Sequence, residues 1–341
     1  MQLVAYGAQD VYLTGQPQIT FFKVVYRRHT NFSVEPIEQV FNGTVGEGKT
    51  LTCNLARNGD LVTNMYFVVD LSAAETTNVT VSEMISKVKI EIGGSKIDEQ
   101  SGAFMELWHG LAKKADCEGA YERMTRCAYD DSSGNFTYYF PLEFWFCRNP
   151  GLALPLIALQ YHDVRVTVET GSSSVETGTI NDMKLVIDYV YLDSDERKRF
   201  AQASHEYLIE QVQDSGAETV NATTTKIRLN FNHPCKFVAW RHNTSTTTTT
   251  EAKLSLNGHD RLATRSGSYF QNVQAYQHFS NTPASTDYVY SFALNPEEHQ
   301  PSGTCNFSRI DNAQLHIKGS VGSTTVNVYT MNYNVLRIMS G

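Results

Sequence analysis

The chain has 341 residues, 41% hydrophobic and 19% charged, with a formal net charge of −8. Those are globular values that exclude a disordered tail, and the acidic balance argues against a coat that binds by neutralising phosphates. The cluster Arg27-Arg28-His29 is too short to overturn that. No apolar run approaches the ~20 residues of a membrane-spanning helix, and Met1–Ala5 lacks the charged and apolar regions of a signal peptide.

In chain order, Met1–Gln18 reads as a turn-rich, polar arm. It leads into Ile19–Tyr26, a nearly continuous apolar run with the pattern of a strand buried on both faces. Strands follow at Phe32–Phe41, Thr50–Leu55 and Leu61–Leu71, with Asn58-Gly59-Asp60 as a turn. This spacing, punctuated by Gly, Asn and Asp, predicts a sandwich or jelly roll; the helices that βαβ units need are missing. Met183–Leu192 alternates Met183, Leu185, Ile187, Tyr189 and Tyr191 on one face and ends a first domain. Asp193–Gln213 reads as a short ordered connector. It has a helix-capping start at Asp193 and Glu196, and Phe200, Ala203 and Tyr207 share one helical face. The tract Thr244–Thr250 has no apolar face to bury and is expected to be an exposed loop.

One supersecondary order occurs twice. Val88–Ile92 runs into Gly93-Gly94 and returns as Ser95–Asp98; about 164 positions later, Ala252–Leu256, Asn257-Gly258 and His259–Leu262 repeat it. Each hairpin precedes a short aromatic helical stretch, Gly102–Lys114 or Ser268–Phe279. Each stretch precedes an aromatic strand, Thr137–Phe146 or Asp287–Leu294, and later an alternating strand, Asp163–Glu169 or Ala313–Lys318. Two like domains are the consequence. The expected fold is all-β: two tandem antiparallel jelly rolls with short helices in their loops. The segments are an arm at 1–18, a first jelly roll at 19–192, a connector at 193–213 and a second jelly roll at 214–341. Three chains carrying two like domains each would offer six similar outer faces.

Few residues invite a chemical reading. Gly43-Thr44-Val45-Gly46-Glu47-Gly48-Lys49-Thr50 matches the phosphate-binding G-x-x-x-x-G-K-[ST] pattern, and Met65–Asp70 imitates its acidic companion motif. A phosphate cradle must open a helix, whereas Thr50–Leu55 alternates as a strand, so a Gly-rich turn with Lys49 as a rim charge is expected. His233, His242 and His259 lie in or near strands without a ligand-spaced Glu. Glu297-Glu298 and Asp130-Asp131 read as solvated turns. Trp145, Trp240 and Tyr290 could form a sugar platform, but their strand setting favours core packing. The six cysteines (53, 117, 127, 147, 235, 305) show no Cys-x-x-Cys spacing and read as reduced thiols, with neither a disulfide framework nor a zinc site expected. Seven Asn-x-Ser/Thr sequons are what a Thr- and Asn-rich β protein generates by chance.

The loop Asn295–Asn312 contains Gln300-Pro301-Ser302-Gly303-Thr304-Cys305-Asn306-Phe307-Ser308-Arg309-Ile310-Asp311. It closely resembles the QPSG-T-x-N-x-SRID signature of the major capsid proteins of large nucleocytoplasmic DNA viruses. Gly7–Gly15 followed by Gln18–Phe32 is similar to that family's opening. Pro141–Phe146 with Leu154–Leu159 resembles its first-domain signature, Glu196–Gln211 its connector and Met331–Ile338 its final strand. The likeness spans nearly the whole chain.

The resemblance implies a double jelly roll that forms a homotrimer, a pseudo-hexagonal capsomer of an icosahedral shell, without enzyme activity, catalytic residue, metal or cofactor. It implies neighbouring capsomers and minor capsid proteins as partners, contact with an inner membrane layer through those minor proteins, and no direct nucleic acid. It places the chain in the virion, assembled in the host cytoplasm. The chain is shorter than most such proteins, so the loops that form outer towers are expected to be reduced. It could be the principal capsomer or a shorter paralogue. A jelly-roll carbohydrate-binding attachment protein is the alternative. A nucleotide-hydrolysing enzyme would rest on Gly43–Thr50 alone.

Overall fold

The computed structural model describes residues 7–72, 80–113, 118–125, 129–130, 135–171, 179–244, 246–320 and 323–339. Residues up to Asn31 form one unit and those from Phe32 onward a second. The first unit holds a short helix, α1 (Asp10–Thr14). The strand expected over Ile19–Tyr26 is absent: its large apolar side chains are 70–99% exposed. Aromatic and β-branched residues favour a strand, but a strand also needs a partner for its backbone groups. The described residues of this unit contain none.

In the second unit the chain forms β1 (Phe32–Val40), β2 (Thr50–Asn54), β3 (Leu61–Ser72), α2 (Val81–Met84), β4 (Ile85–Ile92) and β5 (Ser95–Ser101). Next come α3 (Gly102–Ala112), α4 (Glu118–Thr125), β6 (Tyr129–Asp130), β7 (Asn135–Pro141), α5 (Trp145–Arg148), β8 (Leu154–Pro155), β9 (Val164–Thr170) and β10 (Thr179–Leu192). A linking helix, α6 (Ser194–Gln202), leads to β11 (His205–Val220), β12 (Thr225–Arg228), β13 (Pro234–His242), β14 (Thr249–Leu256) and β15 (His259–Ser266). A π-helical turn (Tyr269–Val273) and α7 (Gln274–His278) precede β16 (Asp287–Ser291), β17 (Cys305–Asn306), β18 (Ala313–Gly319) and β19 (Thr324–Ile338).

The strands make two sandwiches. The first pairs a sheet ordered β1-β10-β3-β7-β6 with one ordered β2-β9-β4-β5; the second pairs β11-β19-β13-β16 with β12-β18-β14-β15. The orders match strand for strand: β1 corresponds to β11, β10 to β19, β3 to β13, β7 to β16, β2 to β12, β9 to β18, β4 to β14 and β5 to β15. This is a double jelly roll. Period-two alternation sends Met65, Phe67, Val69 and Leu71 of β3 inward against Met183, Leu185, Ile187 and Tyr189 of β10. Val238 and Trp240 of β13 likewise face Ala252 and Leu254 of β14 in the second core.

The duplication extends to the turns. Gly93-Gly94 (φ 57° and 80°) and Asn257-Gly258 (φ 51° and 82°) both use the positive-φ pair that matches the twist of a two-residue hairpin. Just past each returning strand stands a glycine with no room for a side chain. A Cβ on Gly102 would lie 2.1 Å from the Ile85 carbonyl oxygen, and one on Gly267 would lie 1.8 Å from that of Thr249. Ile85 and Thr249 are the first residues of β4 and β14, so the two glycines mark one structural position.

Three expected elements are shifted. The aromatic strand of the first domain stops at Pro141, and Trp145-Phe146 belong to α5; that of the second stops at Ser291. In the segment 193–213, Asp193 caps α6 by accepting from Ser194 N at 2.8 Å, but the helix ends at Gln202. Tyr207 lies in β11, whose long ladder with β19 overrides the helical spacing. The Thr244–Thr250 tract is not wholly exposed, because Thr247 and Thr249 are buried. Thr249 Oγ1 accepts from Trp240 Nε1 at 3.0 Å and lies 2.8 Å from His242 Nε2. Satisfied hydroxyls can be buried where bare polar groups cannot.

Candidate functional site

The candidate site is the seam where the first jelly roll meets the second. Helix α3 starts at Ser101, whose hydroxyl accepts from Phe104 N at 3.2 Å. Its residues Phe104, Leu107, Trp108 and Leu111 fall at i, i+3, i+4 and i+7, one apolar stripe. The stripe lies on the outward face of the second jelly roll, against Val212, Phe237, Ala239, Val289, Tyr329 and Met331. Trp108 stacks on Phe237 with centroids 5.7 Å apart and planes 9° from parallel, and Phe104 meets Tyr329 at 5.6 Å. Met105, on the other side of the helix, enters the core of its own jelly roll. Polar contacts fix the helix in register. Arg241 Nη1 donates to the Ala103 carbonyl at 3.1 Å and pairs with Glu106 at 3.2 Å. Asn281 closes the far end through its backbone N to the Leu111 carbonyl, 3.1 Å, and its side-chain amide to that of Lys113.

Beside the helix, edge strand β5 faces edge strand β11. Asp98 accepts from Val212 N at 2.9 Å and from Gln100 Nε2 at 2.8 Å, and Gln211 Nε2 donates to the Ile97 carbonyl. Side chains thus satisfy groups that a sheet ladder would otherwise pair. Burial pushes the Asp98 carboxyl up to about 6, although those donors pull it down.

Deeper in the seam lies a charged cluster. Glu210 of β11 accepts from Lys236 Nζ at 2.6 Å and pairs with Arg148 Nη1 at 2.8 Å, while His299 Nδ1 is 3.7 Å away. Lys236 also donates to the Glu298 carbonyl at 2.9 Å and lies over the Tyr333 ring; Arg148 lies over Trp108. Burial works against ionised Glu210, but Arg148, His299 and Lys236 together outweigh it and hold the carboxyl at about 2. Arg148 comes from the first jelly roll and Lys236 from the second, so one carboxylate joins both.

The residues singled out in the sequence sit elsewhere. Gly43–Thr50 is a turn joining β1 to β2, with Asn42 bridging Thr52. Two of its backbone amides are committed: Gly48 N donates to the Gly171 carbonyl at 2.8 Å and Lys49 N to Thr170 Oγ1 at 2.9 Å. Thr50 opens β2, so no helix terminus faces the loop. His233 and His259 are exposed, and His242 is buried beside Thr249. Among the described residues no three His, Cys, Asp or Glu side chains converge on a metal position. Trp145 and Trp240 are fully buried and Tyr290 is half-buried, so they pack instead of forming a platform. Glu297 is tied to Ser280, and Glu298 serves the cluster through its carbonyl. Cys53, Cys147, Cys235 and Cys305 are free thiols, raised by burial. Cys117, Cys127, Asp131 and the side chain of Asp130 lie outside the described residues.

None of the seam's charged residues stood out from the sequence. Their signal was a charge interrupting an apolar strand, Lys236 within Cys235–Trp240 and Glu210 within Leu208–Val212. Such an interruption marks a buried, paired ion.

A sequence profile described as "Major capsid protein N-terminus" matches residues 20–193. One described as "Large eukaryotic DNA virus major capsid protein" matches residues 196–250 and 241–341. The major capsid protein of Pyramimonas orientalis virus is 48% identical over 386 aligned residues, covering 100% of this chain and 97% of that protein. That of Paramecium bursaria Chlorella virus 1 is 41% identical over 423, covering 100% and 97%. The crystal structure of PBCV-1 VP54 superposes with a TM-score of 0.86 at 37% identity, over 94% of this chain and 98% of that one. The Faustovirus major capsid protein shares the fold alone, with a TM-score of 0.79 at 12% identity over 98% and 94%. With profiles matching most of its length and relatives similar from end to end, the chain belongs to the major capsid protein family of large eukaryotic DNA viruses.

Proposed function

We propose that three copies of this chain form a pseudo-hexagonal capsomer and that such capsomers build the icosahedral shell of a virion. The observation that carries this reading is the strand-for-strand repetition of one jelly roll within a single chain. Two like sectors per chain fill a six-sided ring with three chains, and closed rings are the usual outcome of head-to-tail contacts that return on themselves. The seam suits such a role, since its aromatic stripe and shared carboxylate hold the two sectors in one fixed relation. The role is structural and uses no cofactor.

The domain plan belongs to the same reading: an arm, a first jelly roll ending at Leu192, a linking segment and a second jelly roll. The arm would contact neighbouring capsomers or minor capsid proteins, some of which would connect the shell to an inner membrane layer. Assembly would take place in the host cytoplasm. Size-exclusion chromatography with light scattering tests the reading. Three chains of 38.2 kDa give about 115 kDa; a mass of one chain at micromolar concentration overturns it.

A further inference from the structure

We propose that Cys235 and Cys305 form a redox site, in which a low-molecular-weight disulfide such as oxidised glutathione converts two facing thiols into one intrachain disulfide. The bond clasps the loop Asn295–Asn312 to β13. It is independent of the trimer reading, and it opens in a reducing medium and closes in an oxidising one.

The placement comes from the ladders of the second jelly roll. The two-residue strand β17 pairs antiparallel with β13, setting Pro234 opposite Asn306 and Cys235 opposite Cys305. Side chains directly opposite in such a pair share one face of the sheet. Both cysteines accordingly meet the second core: Cys235 is fully buried in it, and Cys305 packs against it half-buried. Phe307 N donates to the His233 carbonyl at 3.1 Å. Hydrogen-bonded pairs recur at every second residue, so Cys235 and Cys305 are one, with Cα atoms about 5.5 Å apart. A disulfide spans Cα separations of about 4.4–6.8 Å. Both residues are free thiols in the structure.

The segment has the freedom to close. A disulfide holds its Cβ atoms about 3.8 Å apart, closer than the roughly 4.5–5.5 Å of facing strand residues. Strand β17 can supply that approach, because it is two residues long and pairs with no strand but β13 among the described residues. Strand β13 is irregular at the same place, with a register shift against β19 between Cys235 and Phe237. Among the described residues no other two cysteines face each other across a ladder: Cys53 stands opposite Val166, and Cys147 lies in α5.

The two thiols divide the chemistry. Burial raises both, Cys235 to about 12, but the Arg261 guanidinium pulls Cys305 back toward its thiolate. Cys305 is also the less buried of the two, so it attacks first. Its thiolate bonds to one sulfur of the small disulfide, the external S–S bond breaks, and the other sulfur leaves as a thiolate. Cys235 Sγ then gives up its proton and bonds to Cys305 Sγ, expelling the second external sulfur. Two protein thiols are oxidised, one external disulfide is reduced, and the two protons end on the released thiols. The adjoining residue gives the bond its consequence. Lys236 joins Glu210 to the Glu298 carbonyl, so the disulfide fixes the loop where it meets the charged cluster of the seam.

The experiment uses the full chain. Native protein is held at mildly alkaline pH in graded mixtures of reduced and oxidised glutathione and quenched in acid. It is then unfolded with excess N-ethylmaleimide and mapped by mass spectrometry. In the oxidising mixtures most molecules are expected to give one linked peptide pair joining Cys235 to Cys305, with Cys53 and Cys147 alkylated, and dithiothreitol is expected to remove the link. Amide hydrogen exchange across Asn295–Asn312 is expected to slow at least about threefold on oxidation, because a cross-link suppresses local opening. Cys305→Ser is expected to show neither the link nor the slowing, and Cys305→Ala takes its place if the serine variant fails to fold. Both cysteines alkylated in the most oxidising mixture, a glutathione adduct that stays on Cys305, or linkage to another cysteine overturns the proposal. So does slowed exchange that persists in the Cys305 variant. The oligomeric state enters none of these outcomes, so a failed trimer reading leaves the test intact.

Discussion

Replacing Glu210 by Gln should destabilise the chain by about 3 kcal/mol at neutral pH. The variant keeps the size of the side chain but removes its charge, leaving Lys236 and Arg148 as two buried cations without an acid between them. Arg148 has little else to rely on, since its Nε and Nη2 are buried without a hydrogen-bond partner among the described residues. Breaking a buried pair from one side costs about 3–5 kcal/mol. The titration of the group leads to the same magnitude. Its folded value of about 2 lies below the ordinary 4.5, and a gap of that size corresponds to about 3 kcal/mol of differential stabilisation. Because the folded value is depressed, this stability is present above pH 4.5 and is lost as pH falls through about 2. Denaturant or thermal unfolding of wild type and Glu210→Gln at several pH values is the assay. The melting temperature should drop by about 4–6 °C at pH 7, and the gap between the proteins should close toward pH 2. Adding Lys236→Met to Glu210→Gln should recover part of the loss, because one stranded charge is gone. A gap below about 1 kcal/mol at pH 7, or one that stays constant down to pH 2, would refute the account of the cluster.

Gly102→Ala and Gly267→Ala should each cost roughly 2–3 kcal/mol or more in chemical unfolding, because the added carbon meets a backbone oxygen that cannot swing aside. Gly110→Ala, within α3 and with open space around it, should be neutral or stabilising; equal losses at all three would defeat the claim. His242, pushed down to about 4 by burial, should contribute stability that is present above pH 6.5 and lost as pH falls through 4. Wild type should therefore lose about 3 kcal/mol more than His242→Gln over that window, and parallel pH curves would contradict it. Lys49→Ala should leave ATP titration calorimetry unchanged, with no saturable binding in either protein. Deleting Met1–Gln16 should leave the chain folded and trimeric, with a melting shift of only a few degrees, about 1 kcal/mol or less, while impairing shell formation seen by electron microscopy. Normal shells, or a chain that no longer folds, would each reject the arm's assembly role.

The fold was largely legible from alternation and turns. Gly93-Gly94 and Asn257-Gly258 announced the hairpins because only a few residues accept the positive φ of such turns, and the structure uses both at those places. The glycine pattern around Lys49 was readable as a turn because Thr50–Leu55 alternates at period two. The seam was less legible. Gly102–Lys114 read as a short aromatic helical stretch, but a sequence does not say whether Phe104, Leu107, Trp108 and Leu111 face their own core or a neighbour. Glu210 and Lys236 are distant in sequence and meet only through the β11–β19–β13 order. Ile19–Tyr26 misled for the opposite reason: local propensity was strong, but no ladder partner stands among the described residues of its unit.

The differences between the two halves carry an argument of their own. Where α3 presents Phe104, Leu107, Trp108 and Leu111, the second half presents Tyr269, Asn272, Val273 and Tyr276. A contact made once, during folding, and never undone can use the most apolar side chains available, because no soluble state exposes them. A contact between copies is different, since the chain must persist alone before it meets its partners, and a fully apolar stripe on that state would drive non-specific association. Having tyrosine at two of the four positions and asparagine at a third keeps ring area for packing while giving those three a polar end; Val273 alone stays wholly apolar. The outward sheet face of the first jelly roll differs in the same direction, since Glu38 and Lys184 stand at the places that Val212 and Tyr329 fill on the seam. One secondary-structure frame thus carries a buried apolar stripe in one half and an exposed, more polar one in the other.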